Sequence, residues 1–180
     1  MKTLLFILAG SLFCLSVNGQ NIMISKNAAI SFFSSTPAED IEGKSTLANS
    51  VIDTKTRNLI FKVNNTSFQF QKKLMQEHFN ENYMESDKYP VSTFKGKISD
   101  NVDLSTDGTY NVTIDGSLDI HGVTKNYQTK ATLVVSKGII TAKTTFKVKI
   151  ADHQIKVPTI VFAKIAEAVD VRISATYQPK

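Results

Sequence analysis

An all-β fold, an antiparallel barrel of about eight strands, is predicted by three features of the sequence. Apolar and polar side chains alternate with period two over long stretches, the signature of strands with one dry face and one wet face. Short turn signals containing glycine separate neighbouring stretches, so each strand is expected to pair with the next. One-faced strands in that order bury themselves either as a sandwich or as a closed barrel, and the length of the clearest ones favours closure.

The alternation is clearest from Gly108 to Val135. Tyr110, Val112, Ile114, Leu118 and Ile120 share one face, and Tyr127, Thr129, Ala131, Leu133 and Val135 share a face of the partner, so the two segments read as a hairpin. The chain opens differently. Residues 1–19 hold Lys2, an apolar run from Leu4 to Val17 and small residues at the end, the layout of a secretory signal, and the run falls short of the ~20 residues of a membrane span. Removal near Gly19 or Gln20 leaves 20–180 as one domain, destined for the periplasm or the exterior, with no further transmembrane segment. The only cysteine, Cys14, leaves with the signal, which excludes disulfides, thiol catalysis and cysteine-based metal sites. Phe13 is too bulky for the small residue that precedes an acylated cysteine.

Asn21–Ser35 is expected to form the first strand, with Ile30 and Phe32 on one face and Phe33 breaking the rhythm. Pro37 marks a turn, since it fixes its own φ and lacks an amide donor. Ile41, Gly43, Ser45, Leu47 and Val51 then define a weak inward face rich in small residues, which leaves room inside. Leu59, Phe61 and Val63 open a third strand, and a phase slip at Asn64-Asn65 predicts a bulge before Phe68 and Phe70. Between about 71 and 84 the period changes: Leu74, Met75, His78, Phe79 and Tyr83 recur at helical spacing, predicting one short amphipathic helix placed as a lid over a barrel end. Pro90 pushes Tyr89 into an extended conformation, and the strand with Phe94, Gly96 and Ile98 follows. After the central hairpin and the Lys137-Gly138 turn, Ile140, Ala142, Thr144, Phe146, Val148 and Ile150 form a long two-faced strand. A helical turn is expected at about 159–166, and Val169, Val171, Ile173, Ala175 and Tyr177 line the last strand.

The chain offers little chemistry. His78, His121 and His153 share no local ligand spacing, so no metal site is read from them. No nucleophile elbow is present, and Gly43, Gly96 and Gly116 do not make a phosphate-cradling loop. Asp115 and Asp119 lie on the wet face of one strand about 13 Å apart, which suits solvation better than paired acid–base work. The chain is therefore not read as an enzyme and no cofactor is implied. The formal charge of +5 includes Lys143, Lys147 and Lys149 on one wet face; a solubilising surface explains them better than a nucleic-acid partner. The sequons at Asn64, Asn65 and Asn111 matter only in a glycosylating secretory path.

What stands out is the inward set. Phe32, Leu47, Phe61, Phe68 and Phe94 from the first half, and Ile114, Leu118, Leu133, Phe146, Val148 and Ile173 from the second, are the candidate apolar wall. Leu74, Met75 and Phe79 are the candidate mouth. An eight-stranded barrel is about wide enough to fill with side chains or to hold one small ligand. Two readings follow: a binding protein with an apolar guest, or a structural or interaction module with a filled core.

The words Tyr89-Pro90, Thr93-Phe94-Lys95-Gly96, Gly108-Thr109-Tyr110 and Gly116-Ser117-Leu118-Asp119-Ile120-His121-Gly122-Val123-Thr124-Lys125 resemble, in order and spacing, the YceI-like proteins. The resemblance spans nearly all of 20–180. It implies a lipocalin-like barrel, secreted or periplasmic, enclosing a long apolar ligand of the polyisoprenoid or isoprenoid-quinone type.

Overall fold

The computed structural model describes residues 21–180, apart from the side chains of 160–162. The expected signal and Cys14 lie outside the described residues. The chain folds into a closed antiparallel barrel. Its strands are β1 (Ile22–Ser35), β2 (Asp40–Asp53), β3 (Asn58–Asn64), the two-residue β4 (Gln69–Phe70), β5 (Val91–Ile98), β6 (Gly108–Ile120), β7 (Val123–Ser136), β8 (Ile139–Lys149) and β9 (Ala168–Pro179). The sheet order is β1-β9-β8-β7-β6-β5-β3-β2, and β1 pairs with β2 to close the circle of eight; β4 hangs on β2 through Gly43 and Lys44. Eight long strands with wet and dry faces leave no exposed edge once closed.

Local chemistry sets the hairpins. His121-Gly122 and Lys137-Gly138 each have positive φ at both positions, the two-residue turn whose twist matches that of its flanking strands. The expected helix is present as α1 (Lys73–His78), continued by a π-helical turn over Phe79–Tyr83. The turn expected at about 159–166 is a 3₁₀ segment, Thr159–Lys164.

Two sequence expectations are corrected. The first concerns Leu47 and Val51, placed inward by odd-number alternation but 60% and 38% exposed. Between Ser25 and Ala28 the first strand carries one extra residue, with Asn27 at φ 61°, and between Ala48 and Ser45 the second carries one in return. Each bulge flips the phase of its own strand. Ala48, Ser50 and Ile52 are therefore the buried set on that half of β2, and Leu47 and Val51 face outward. The second concerns Asn64-Asn65. Instead of a bulge, β3 ends there in a 3₁₀ turn, Asn65–Ser67, that carries the chain across to β2.

The interior divides along the barrel axis. At one end Ile52, Ile98, Leu133 and Ile140, all at most 1% exposed, pack with Val112, Ala175 and Tyr177, and Leu104 from the β5–β6 loop plugs the opening. Asp103 accepts from the Ser105 amide and hydroxyl and the Thr106 hydroxyl, which holds that plug in shape. Ser50 donates to the Ile60 carbonyl at 2.8 Å and so accepts, at 2.8 Å, from the buried Tyr177 hydroxyl. Burial pushes Tyr177 above the ordinary value near 10, with the Ser50 bond opposing in part. A raised folded-state value means the fold holds that proton more tightly than the unfolded chain does, so this contribution is complete below about pH 10 and is lost as the pH rises beyond it. Thermal melts are expected to fall above that pH, and Tyr177→Phe is expected to make the fall shallower; an unchanged slope rules the assignment out.

Candidate functional site

The other end is open and hollow. Here the C-terminal halves of β1, β3, β6 and β8 meet the N-terminal halves of β2, β5 and β9, with α1 and the 3₁₀ segment 159–164 around the rim. They enclose a cavity of about 440 Å³, within the range of about 300–1,000 Å³ usual for ligand sites. Phe32, Phe61, Phe68, Phe94, Leu118 and Phe146 are in its wall, and so are Val148 and Ile173. Leu74, Met75 and Phe79 line its mouth side, with Leu74 60% exposed. The remaining candidates lie elsewhere. Ile114 and Leu133 point inward but belong to the packed end, and Leu47 is on the outer surface.

Phe32, Phe94 and Phe146 are only half-buried although they point to the barrel axis. Side chains that face inward and still meet solvent border an unfilled space. Four rings cluster at the lid: Phe79 lies 5.3 Å from Phe32, 5.5 Å from Phe68 and 5.0 Å from Phe70, near-parallel to the first and tilted to the others. This ties the π-helical turn to β1 and β4 through aromatic contacts within the favourable range. Phe70, Ile120, Met84 and Val171 also line the cavity. Phe70, Ile120 and Val171 lie on the inward phase of their strands and were readable from it; Met84 lies at the frayed end of the helical pattern, where no periodicity marks it.

A second, open groove crosses the outer wall at the barrel's waist, over β6, β7, β8, β9, β1 and β2, between exposed side chains that include Lys44, Lys130, Lys143 and Arg172. Beneath it the inward side chains are small, and Ser45, Val112 and Ala131 are buried. Thr144 and Thr129 hydroxyls lie 2.9 Å apart, and Ser45 and Ser67 2.7 Å, which satisfies these polar groups.

Among the described residues, the charged groups that line the open cavity sit at its rim. Glu39, in the β1–β2 turn, takes Lys72 Nζ at 3.2 Å and Lys164 Nζ at 3.9 Å, joining three rim elements at one carboxylate. On the far rim His121 Nε2 meets Glu85 at 2.5 Å and its Nδ1 lies 3.3 Å from the His153 carbonyl. His153 is fully buried: Nδ1 donates to the Val123 carbonyl at 2.9 Å, and Nε2 lies 3.1 Å from the Tyr127 hydroxyl. These two histidines brace loops, while His78, exposed on α1, stands at the cavity mouth. Among the described residues no three His, Cys, Asp or Glu side chains converge. Asn65, noticed in the sequence only as a sequon and a phase slip, is fully buried and binds the Tyr89 and Pro90 carbonyls and the Ser92 hydroxyl. The ring of Tyr89 in turn covers Gly122, where a Cβ would stand 2.5 Å from it.

Comparison with known proteins agrees with this architecture. The model of the YceI-like domain matches residues 21–177. No curated protein matches the chain. Among solved structures, a polyisoprenoid-binding domain from Saccharophagus degradans implicated in plant cell wall breakdown superposes with a TM-score of 0.75 at 17% identity, over 89% of this chain and 99% of that one. Burkholderia cenocepacia BcnA gives 0.69 at 16% identity, over 83% and 95%. A Campylobacter jejuni YceI protein gives 0.60 at 20%, over 74% and 82%.

Proposed function

Because the chain belongs to the YceI-like family, we propose that it is a non-enzymatic carrier holding one long apolar chain, of the polyisoprenoid or isoprenoid-quinone type, inside its barrel. The observation that carries this reading is the ring of inward, half-buried phenylalanines around an apolar cavity that opens at one end only. The solved neighbour described as polyisoprenoid-binding supports the ligand class. The apolar run of Leu4–Val17 supports delivery to the periplasm or beyond. A filled interior, the rival reading, describes the plugged end and not the open one.

Energetics make retention reasonable. Each buried methylene contributes about 0.8 kcal/mol, so one five-carbon isoprene unit contributes about 4 kcal/mol before ordering costs are deducted. A few enclosed units suffice for micromolar retention or better. The walls provide shape and dryness, and the polar rim meets whatever head group stays outside. Protein purified without detergent and extracted with organic solvent is expected to release about one lipid per barrel by mass spectrometry. Finding none, together with no uptake of added solanesol or ubiquinone, overturns the proposal.

A further inference from the structure

We propose that the groove on the outer wall binds a linear acidic polysaccharide, an activity separate from that of the lumen. Strand pairing lines up its central side chains. Lys130 stands opposite Thr113, and the pairing of Ala131 with Thr144 puts Lys130 level with Thr145 on the next strand. Thr145 is opposite Arg172, Arg172 opposite Ser31 and Ser31 opposite Lys44. From β6 to β2 the row therefore runs Thr113, Lys130, Thr145, Arg172, Ser31, Lys44, a cation on every second strand with a short hydroxyl side chain between. Neighbouring strands lie about 4.8 Å apart, so the strands that carry successive cations are about 10 Å apart. Lys143, opposite Thr132 and Ser174, adds a further cation beside the row.

The charge of this face is uncompensated. The groove is lined by four cations and no carboxylate. The carboxylates on its flanks are already occupied: Glu42 holds Lys44 at 2.8 Å, Asp170 holds Lys147 at 2.8 Å, and Asp115 accepts from Gln128 and Ser99. Among the described residues Lys130, Lys143 and Arg172 make no ion pair, and the Arg172 guanidinium is steadied over the Phe33 ring at 5.6 Å. A wall that is only solubilising intersperses both signs, whereas this one leaves neighbouring cations for a partner's charge. What the groove lacks narrows that partner. None of the exposed large apolar side chains lies in it, so it offers a bilayer no anchor. It is lined by no aromatic ring on which the bases of a single strand would stack, and its floor is sheet, with no helix or ribbon to enter a duplex. A sugar chain suits it, because the hydroxyl side chains exchange hydrogen bonds with sugar hydroxyls while Lys and Arg meet acid groups. Two strand spacings are about the span of two sugar rings, which fits an acid group on every second sugar.

The test uses a labelled hyaluronate oligosaccharide, a linear chain with a carboxylate on every second sugar, followed by fluorescence anisotropy at low ionic strength, with neutral dextran beside it. The parent is expected to bind hyaluronate with an affinity that falls as salt is added, and to leave dextran unbound. Lys130→Gln combined with Lys143→Gln is expected to weaken hyaluronate about tenfold, the loss of two charge contacts of ordinary size. Lys62→Gln combined with Lys125→Gln removes the same charge from exposed positions outside the groove, and is expected to stay within about twofold of the parent. All four lysines are exposed, so both double variants are expected to melt with the parent and to take up solanesol as it does. A parent that does not bind hyaluronate, or an equal loss in the two double variants, overturns the inference and leaves the carrier reading untouched. Tighter binding of a single-stranded oligonucleotide or of phosphatidylglycerol vesicles than of hyaluronate, weakened by the same groove variant, also overturns it, in favour of a partner of another class. A parent that binds hyaluronate and takes up no solanesol overturns the carrier reading alone.

Discussion

Phe146→Glu is expected to abolish lipid retention, weakening solanesol by about a hundredfold or more, while the barrel still folds. The ring lines the cavity, is half-buried, and touches Tyr127 edge-on at 6.1 Å. A carboxylate in its place stays hydrated as long as the chamber holds water, so the empty protein pays little. An apolar guest would have to strip that water and leave a charge facing hydrocarbon, which costs several kcal/mol. Titrating purified protein with solanesol and following melting in parallel checks both halves. Retained binding would place the guest elsewhere.

Leu133→Ala is expected to do the opposite. Leu133 is 1% exposed within the plugged end, and a buried leucine truncated to alanine costs about 3 kcal/mol, transfer and cavity terms together. Farnesol uptake is expected to stay within about twofold, because no part of this side chain borders the cavity. Chemical denaturation gives the stability change and native mass spectrometry the binding. If Leu133→Ala weakened binding as strongly as Phe146→Glu, the division of the interior into a structural end and a receptive end would fail.

That division explains how much the sequence showed. Strict alternation in β6, β7 and β8 identified which face of each strand is dry, because side-chain direction in a strand has a fixed period. Alternation says nothing of depth along the axis. Ile114 and Leu133 therefore looked equivalent to Leu118 and Phe146, yet the first pair packs the plug and the second lines the hollow. Phase was lost wherever a single residue was inserted. Asn27 at φ 61° was the local cause in β1, and asparagine tolerates that conformation well, but nothing in its neighbours marked the insertion. Leu47 was misplaced for the matching reason in β2. The rim networks were not legible at all: Glu85, His121 and His153 are far apart in the chain and meet only because the β6–β7 turn and the β8–β9 connection share one end of the barrel. The glycines were noticed for the room they leave, without a sign of which rings would occupy it.

The closing seam carries a temporal cost. β1 is the first strand to be made and β9 the last, and they pair from Met23 with Pro179 to Phe33 with Asp170. Until β9 has been made and docked, β1 has one partner instead of two and the greasy inner walls of seven strands lie open like a split tube. The phenylalanines therefore stay unsheltered until β9 docks against both β8 and β1, which makes closure a late step that joins segments distant in sequence.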